Sequence, residues 1–364
     1  MNNKLITSIS KILLLAILSG LVLFISSCGE SASKPDKYSL YESTVDTSKP
    51  IAWGNDHDIY VFCDDHAWQY LHKLMEQSLE REMYVVVNEK YFNIIRGDIK
   101  DIDNLMKYKN LLFLGSLKSR GAVSNHLRNS MDKRMIQRVQ NSGAEMFVAR
   151  NRWVKDQLVV VVAGSNLENL LKINILQSNR LFNLFLNRLG ERLAYQAYQT
   201  KLIPADFFNL YPFTLKIPEN YKLFSDDKKN HFLSLIYRIR SESREFPDKY
   251  ISVYYEDMPV DTLNLNWILE KRKELAWKYF DEDEFDPKKL RSERLDFGKY
   301  KAWRIFGPWI NKKFDVGGGF QSFAFYDETQ KRAYLVDNSV YFPAGDKLPI
   351  LLELQKISAT FKTK

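Results

Sequence analysis

Lys201-Leu202-Ile203-Pro204 divides the chain into two textures. Proline removes a backbone donor and pushes the residue before it out of the helical region, so the helical pattern before this point has to end here. On the amino side, apolar runs of strand length alternate with runs of helical period. Ile59-Tyr60-Val61-Phe62 reads as a buried strand, and 66–80 as an amphipathic helix carrying Trp68, Leu71, Leu74, Met75 and Leu79. Tyr84 to Val87 and Tyr91 to Ile95 read as two strands around an Asn-Glu-Lys turn, and Leu111 to Leu114 as another strand. Helices are expected near 118–141, a hairpin from Phe147-Val148 and Leu158 to Val162, and a long helix over 166–199. Mixed order of this kind predicts a sheet covered by helices.

On the carboxyl side, strand follows strand. Phe213 to Ile217, ended by Pro218, opens the region; Leu233 to Ile239 and Tyr250 to Tyr255 alternate as antiparallel strands do. A helix over Leu263 to Phe280 is followed by strands at Lys299 to Ile305, Phe320 to Tyr326 and Arg332 to Val336, and Lys347 to Thr360 closes as a helix. The expected class is α+β: a mixed α/β domain over 51–203, then an antiparallel-sheet α+β domain over 205–364. The length of 364 residues fits two separately folding domains.

Outward to the amino terminus, Lys4 and Lys11 precede an apolar run from Ile12 to Ile25, too short for the roughly 20 residues a spanning helix needs. Ile25-Ser26-Ser27-Cys28 resembles the lipobox of bacterial lipoproteins, with isoleucine where leucine is commoner. The expectation is a signal peptide over 1–27, cleavage before Cys28, and lipid attached to that thiol. An uncleaved anchor helix and an ordinary signal peptide are the rival readings. Several acyl chains hold a protein firmly where one holds it reversibly. Residues 28–50, rich in Ser, Lys, Asp and Pro, are expected to form a flexible tether. Such a protein sits in the cell envelope, with the periplasmic face of the outer membrane the expected side.

The formal charge of +8 is spread along the chain, with acidic runs such as Asp281-Glu282-Asp283-Glu284 among the basic ones. Nucleic-acid binders concentrate their charge, so no nucleic-acid partner is expected. With Cys28 lipidated, Cys63 is alone and no intrachain disulfide can form. A core drawn from a chain that is 45% hydrophobic has to hold the fold without one.

Gly307-Pro308-Trp309, Gly317-Gly318-Gly319-Phe320, Phe325-Tyr326-Asp327, Tyr334-Leu335-Val336-Asp337 and Ser339-Val340-Tyr341-Phe342-Pro343 resemble the carboxyl-terminal part of a bacterial lipoprotein family of unknown function, the one numbered 4837. Gln157 to Val162 followed by Gly164 resembles that family's first region. The resemblance implies an envelope location and no assigned activity. By order of elements, the second region also loosely resembles the fold of the extrinsic photosystem P-protein.

Candidate sites are few. His57, Cys63, Asp64, Asp65, His66 and His72 are metal-ligand types, but no CxxC or HExxH spacing links them, and no metal or cofactor is expected. Asp65 fits a helix N-cap and Cys63 a buried small residue. Ser165-Asn166-Leu167-Glu168 fits a capping box better than a nucleophile elbow or phosphate loop. Asp281 to Asp286 lack the order of a calcium loop and read as a solvated helix end. Gly317 to Gly319 read as a flexible turn. Beside them Trp303, Trp309, Gly318, Phe320 and Tyr341 offer a ligand groove for a sugar or extended peptide, with core packing the competing explanation. The expected role is a binding or structural component with an envelope protein or glycan as partner. The alternative is a hydrolase acting on glycan or peptide, for which no coherent catalytic set is visible.

Overall fold

The computed structural model describes residues 39–364; the expected signal peptide, Cys28 and the stretch up to residue 38 lie outside them. The class is α+β, built on two main sheets. The first is assembled from β1 (Asp58–Cys63), α1 (Asp65–Leu79), β2 (Glu82–Tyr84), β3 (Asn88–Lys90), β4 (Asn93–Arg96), α2 (Ile102–Leu105), β5 (Asn110–Ser116), α3 (Ala122–Ser130), α4 (Lys133–Ser142), β6 (Ala144–Arg150), β7 (Leu158–Gly164), α5 (Leu167–Leu176) and α6 (Ser178–Ala197). Its strand order is β4-β1-β5-β7-β6, parallel except for the edge hairpin partner β6. Central strands of a parallel sheet are covered on both faces, and all of β5 is accordingly buried.

Ile59, Val61, Leu112, Leu114, Val160 and Val162 face α1, α5 and α6. Phe62, Leu111, Phe113 and Val159 face α3, α4 and the segment carrying Ile99, Ile102 and Leu105. The expected strand pair around residue 88 is rearranged. Asn88-Glu89-Lys90 is itself a strand, pairing with β2, and the turn falls on 85–87. The long helix expected over 166–199 is two helices meeting at Gln177.

After the break at Pro204 come β8 (Phe213–Thr214), β9 (Lys222–Asp227), β10 (Phe232–Tyr237), β11 (Asp248–Asp257), α7 (Leu265–Tyr279), β12 (Arg291–Phe297), β13 (Tyr300–Asn311), β14 (Val316–Asp327), β15 (Arg332–Tyr341), α8 (Leu348–Ser358) and β16 (Lys362–Thr363). The second sheet is antiparallel throughout, ordered β12-β13-β14-β15-β11-β10-β9. One face packs on α7, the other on α8.

The passage between sheets coincides with the change of texture at Pro204, and the hydrophobic core crosses it: one cluster runs from Ile59 through Phe185 and Leu189 of α6 to Leu351 and Phe361. Glu89 of β3 reaches across and accepts hydrogen bonds from the backbone amides of Lys347 (2.9 Å) and Leu348 (2.6 Å), capping α8. The described part of the expected tether is also docked. Ser39–Thr44 forms a short 3-10 helix, Tyr41 stacks on Tyr198, and the Thr44 carbonyl accepts from buried Arg188 at 2.6 Å.

Candidate functional site

From β1 the chain moves to β4 on one side; from β4 it returns past β1 to β5 on the other. The connections after β1 and β5 therefore depart on opposite faces, to α1 and α3. In open α/β sheets such a divergence leaves a crevice beyond the carboxyl ends of the strands, the usual place for a ligand. Here it encloses about 610 Å³, lined by Cys63 to His66 at the end of β1, Arg96 to Lys100 at the end of β4, and Ser119 with Gly121 to Val123 before and within α3.

Asp64 shapes this crevice. Its carboxylate accepts from the Val123 amide (2.9 Å), Ser119 Oγ (2.8 Å) and Ser124 Oγ (2.5 Å). It fills the amino end of α3, where amides and helix dipole favour a negative charge. Gly121 makes this possible, because any side chain there would collide with the Asp64 carboxylate. The phosphate position that such a helix end offers is thus already taken by a resident anion.

The remaining lining groups carry both signs. The Arg96 guanidinium bonds Asp65 and lies 5.5 Å over the Trp68 ring. Asp98 accepts from the Lys100 amide at 3.0 Å. His66 meets Tyr70 edge-on at 5.6 Å, and the Lys100 ammonium has no partner among the described residues. Cys63 is buried, and burial, reinforced by the Asp64 charge, pushes its thiol up to about 12. It stays protonated and serves as wall, not nucleophile.

The sequence-level candidates are distributed differently from their spacing. His57 Nδ1 contacts the Tyr91 carbonyl and His72 Nδ1 the Trp68 carbonyl, so neither joins Cys63 and Asp64; no group of three metal-ligand side chains forms among the described residues. Asp65 is not the cap expected of it. α1 starts at Asp65 after Asp64, whose side chain is drawn away to α3. The cap expected at Ser165 falls on Asn166, which accepts from the Asn169 amide at 2.9 Å, while Ser165 Oγ accepts from the Asn169 side chain. In the acidic run, Asp283 is buried and accepts from Asn311 Nδ2 at 2.8 Å; burial lifts its carboxyl to about 6.

Gly317 to Gly319 are not a turn. They sit inside β14, paired with β13, and the turn falls on 312–315. A Cβ on Gly318 would strike the Val340 carbonyl and lie 2.8 Å from the Trp309 ring, so glycine lets that indole lie flat on the neighbouring strand. Trp309 and Phe320 are buried in the core under α7, with Trp303 and Tyr341 packed at its rim. The five residues of the expected groove are together on one sheet face, as packing.

No local motif marks Arg96, Asp98, Lys100 or Gly121 as site residues. The βα order that places Asp64 at a strand end was visible, but the misplaced strand at 91–95 hid that Arg96 ends a strand beside β1.

Residues 202–360 match the family described as a domain of unknown function, DUF4837. The match contains the 307–343 block, whereas Gln157 to Gly164 and the crevice fall outside it. No curated protein matches the chain. Among solved structures, the chain is similar to a protein from Bacteroides thetaiotaomicron VPI-5482, at 9% identity and a TM-score of 0.27 over 42% of this chain and 45% of that one. It is similar to the Ran-binding protein Mog1p of Saccharomyces cerevisiae at 10% identity and a TM-score of 0.29, over 42% of this chain and 90% of that one. LpqN of Mycobacterium tuberculosis, described as involved in cell envelope biogenesis, gives 12% and 0.25 over 42% and 83%. The chain spans under half the length of the Bacteroides protein.

Proposed function

We propose that this chain is an envelope lipoprotein, held by lipid on Cys28 at the periplasmic face of the outer membrane, that binds a hydroxyl-rich, net-neutral ligand of the glycan class in the crevice beyond β1, β4 and β5. The observation that carries the ligand reading is the lining itself. Asp65, Arg96, Asp98 and Lys100 place acceptors and donors of opposite charge around one opening, and Asp64 occupies the helix end that would attract an anion. Hydroxyl groups donate and accept, and alternating charged partners serve them without favouring either sign of ligand. The protonated thiol of Cys63 speaks for binding over thiolate chemistry.

Two measurements test this. Fatty-acid labelling should mark the wild type and not Cys28→Ser; label retained by the variant would remove the anchor. The detergent-solubilised full chain should bind neutral envelope oligosaccharides saturably. Arg96→Ala with Asp98→Ala should weaken binding at least tenfold without lowering the melting temperature by more than a few degrees. Equal binding by that double variant would move the ligand elsewhere.

A further inference from the structure

The amino end of the first sheet, opposite the crevice, carries a second surface. Ile51 (68% exposed), Trp53 (56%) and Trp153 (37%) project there. They are held on one edge by backbone ties. The Trp53 amide donates to the Lys107 carbonyl at 2.8 Å, and the Trp153 amide donates to Gln157 Oε1 at 3.1 Å. Gln157 Nε2 in turn donates to the Met106 and Tyr108 carbonyls. The Lys155 amide donates to the Pro50 carbonyl, and Lys49 Nζ to the Asn151 and Arg152 carbonyls.

Cations surround these rings. Lys107 lies 5.6 Å over Trp53 and is exposed, as is Arg152, with Lys155 half-buried between. Three acids of the same edge are engaged within the fold: Asp46 with Lys49, Asp56 with Lys109, and Asp156 with Arg192. Exposed tryptophans set among exposed cations match the interfacial zone of an anionic bilayer, where indoles sit at headgroup depth and Lys or Arg meet negative headgroups. This is also where the chain joins the fold. Ten residues lie between Cys28 and Ser39, and the eleven steps that join the two span at most about 40 Å when fully extended.

We propose that this edge, Ile51, Trp53 and Trp153 with Lys107 and Arg152, rests on the anionic lipid surface to which Cys28 is attached. The inference rests on the anchored reading. It turns the crevice away from the membrane, toward the space a glycan ligand would occupy.

The lipidated full chain, reconstituted into vesicles of phosphatidylglycerol and phosphatidylcholine containing brominated lipid, reports on both readings separately. Flotation and fatty-acid label test the anchor; quenching of tryptophan fluorescence tests the docking. The expected result is flotation with quenching that falls at least twofold in Trp53→Phe/Trp153→Phe and is unchanged in Trp277→Phe, an exposed indole of α7. Lys107→Glu/Arg152→Glu should float equally and lose quenching, as should wild type in pure phosphatidylcholine. Flotation without quenching, or quenching indifferent to the double phenylalanine variant, would overturn the docking and leave the anchor standing. A crosslink from position 53 to an envelope protein in an unquenched sample would assign the edge to a protein partner and overturn it likewise. Loss of label and flotation together would overturn both.

Discussion

The buried charges at the amino end of the first sheet and the open charges of the crevice at its carboxyl end are held in opposite ways. At the amino end, Arg192 of α6 is buried, yet its guanidinium bonds Asp156 Oδ1 at 2.6 Å, Asn110 Oδ1 at 2.9 Å and the Asp156 carbonyl at 2.8 Å. Arg188 beside it donates to the Thr44 carbonyl and to Asn151 Oδ1 at 2.7 Å. At the carboxyl end, Asp64 and Arg128 are tied in the same way, Arg128 to the Leu117 and Ser119 carbonyls, but Asp65, Arg96, Asp98 and Lys100 stand around an opening with few internal partners. A buried charge earns its place by bonding the surrounding backbone, and its loss is felt in stability. A charge left at the mouth of a crevice contributes little to stability and is available to a ligand.

Arg192→Met is therefore the harshest test of the contrast. Removing one partner of a buried ion pair strands the other, at a cost of about 3–5 kcal/mol. Asp156, already raised above the usual carboxylate range by burial and held down chiefly by Arg192, would be the stranded group. Urea unfolding should show a loss of that size with ligand binding intact. A loss below about 1 kcal/mol would mean that water reaches Asp156, and that the amino end is no better sealed than the crevice.

Asp283 sharpens the point from the second sheet, because it is buried against an amide where Asp156 has a guanidinium. Its carboxyl stands at about 6, above the ordinary 3.8. A raised folded value means that the folded chain holds the proton more tightly than the unfolded one. The resulting stability is full below about pH 4 and is lost as pH rises through 6. At about 1.4 kcal/mol per unit, that amounts to up to about 3 kcal/mol. Asp283→Asn keeps an oxygen for Asn311 and removes the charge. It should leave the urea midpoint unchanged near pH 4 and raise it at pH 7.5. Parallel pH profiles for the two proteins would show that the charge is solvated after all.

Glu89 tests the seam between the sheets. Glu89→Ala leaves the amides of Lys347 and Leu348 without their acceptor at the start of α8, and caps of this kind contribute about 1–2 kcal/mol. Hydrogen exchange should quicken in α8 first. Unchanged protection there would show that α8 is held by its apolar contacts with α6 and β15 alone.

Much of this was legible before the fold was known, and the gaps have physical causes. Periodicity located β1, α1, β5, β7 and the strands β10, β11, β14 and β15, because their burial alternates or is continuous. β9 and β12 escaped notice as edge strands whose side chains are mostly exposed, leaving no apolar pattern to read. Asn88-Glu89-Lys90 has the composition of a turn, yet it forms a strand whose Glu89 accepts from the amides at the start of α8, some 260 residues on, a contact no local pattern encodes. Within Gly317 to Gly319, which carry a turn's composition, Gly318 answers to another long-range demand, the close approach of the Val340 carbonyl and the Trp309 ring. The crevice was half legible. Asp64 at a strand end was in view, but the lining contributed by Arg96 and Lys100 depends on β4 lying beside β1, a pairing that no local pattern encodes.

The smallest expected effect on stability is at the crevice. The Lys100 ammonium has no partner among the described residues and its side chain is exposed, so Lys100→Ala should shift unfolding by less than about 0.5 kcal/mol. The same holds for His66→Ala, whose ring meets, among the described residues, exposed Tyr70 edge-on. If the crevice is the ligand site, these near-silent changes should still weaken oligosaccharide binding, the lysine by severalfold through the loss of a charged donor. The pairing of the two readouts separates the ends of the sheet: Arg192→Met changes stability and spares binding, and Lys100→Ala does the reverse. A Lys100→Ala protein that unfolds early would place the lysine in the framework. One that unfolds normally and binds normally would leave the crevice as a solvent-filled consequence of the strand order, with the ligand to be sought on another surface.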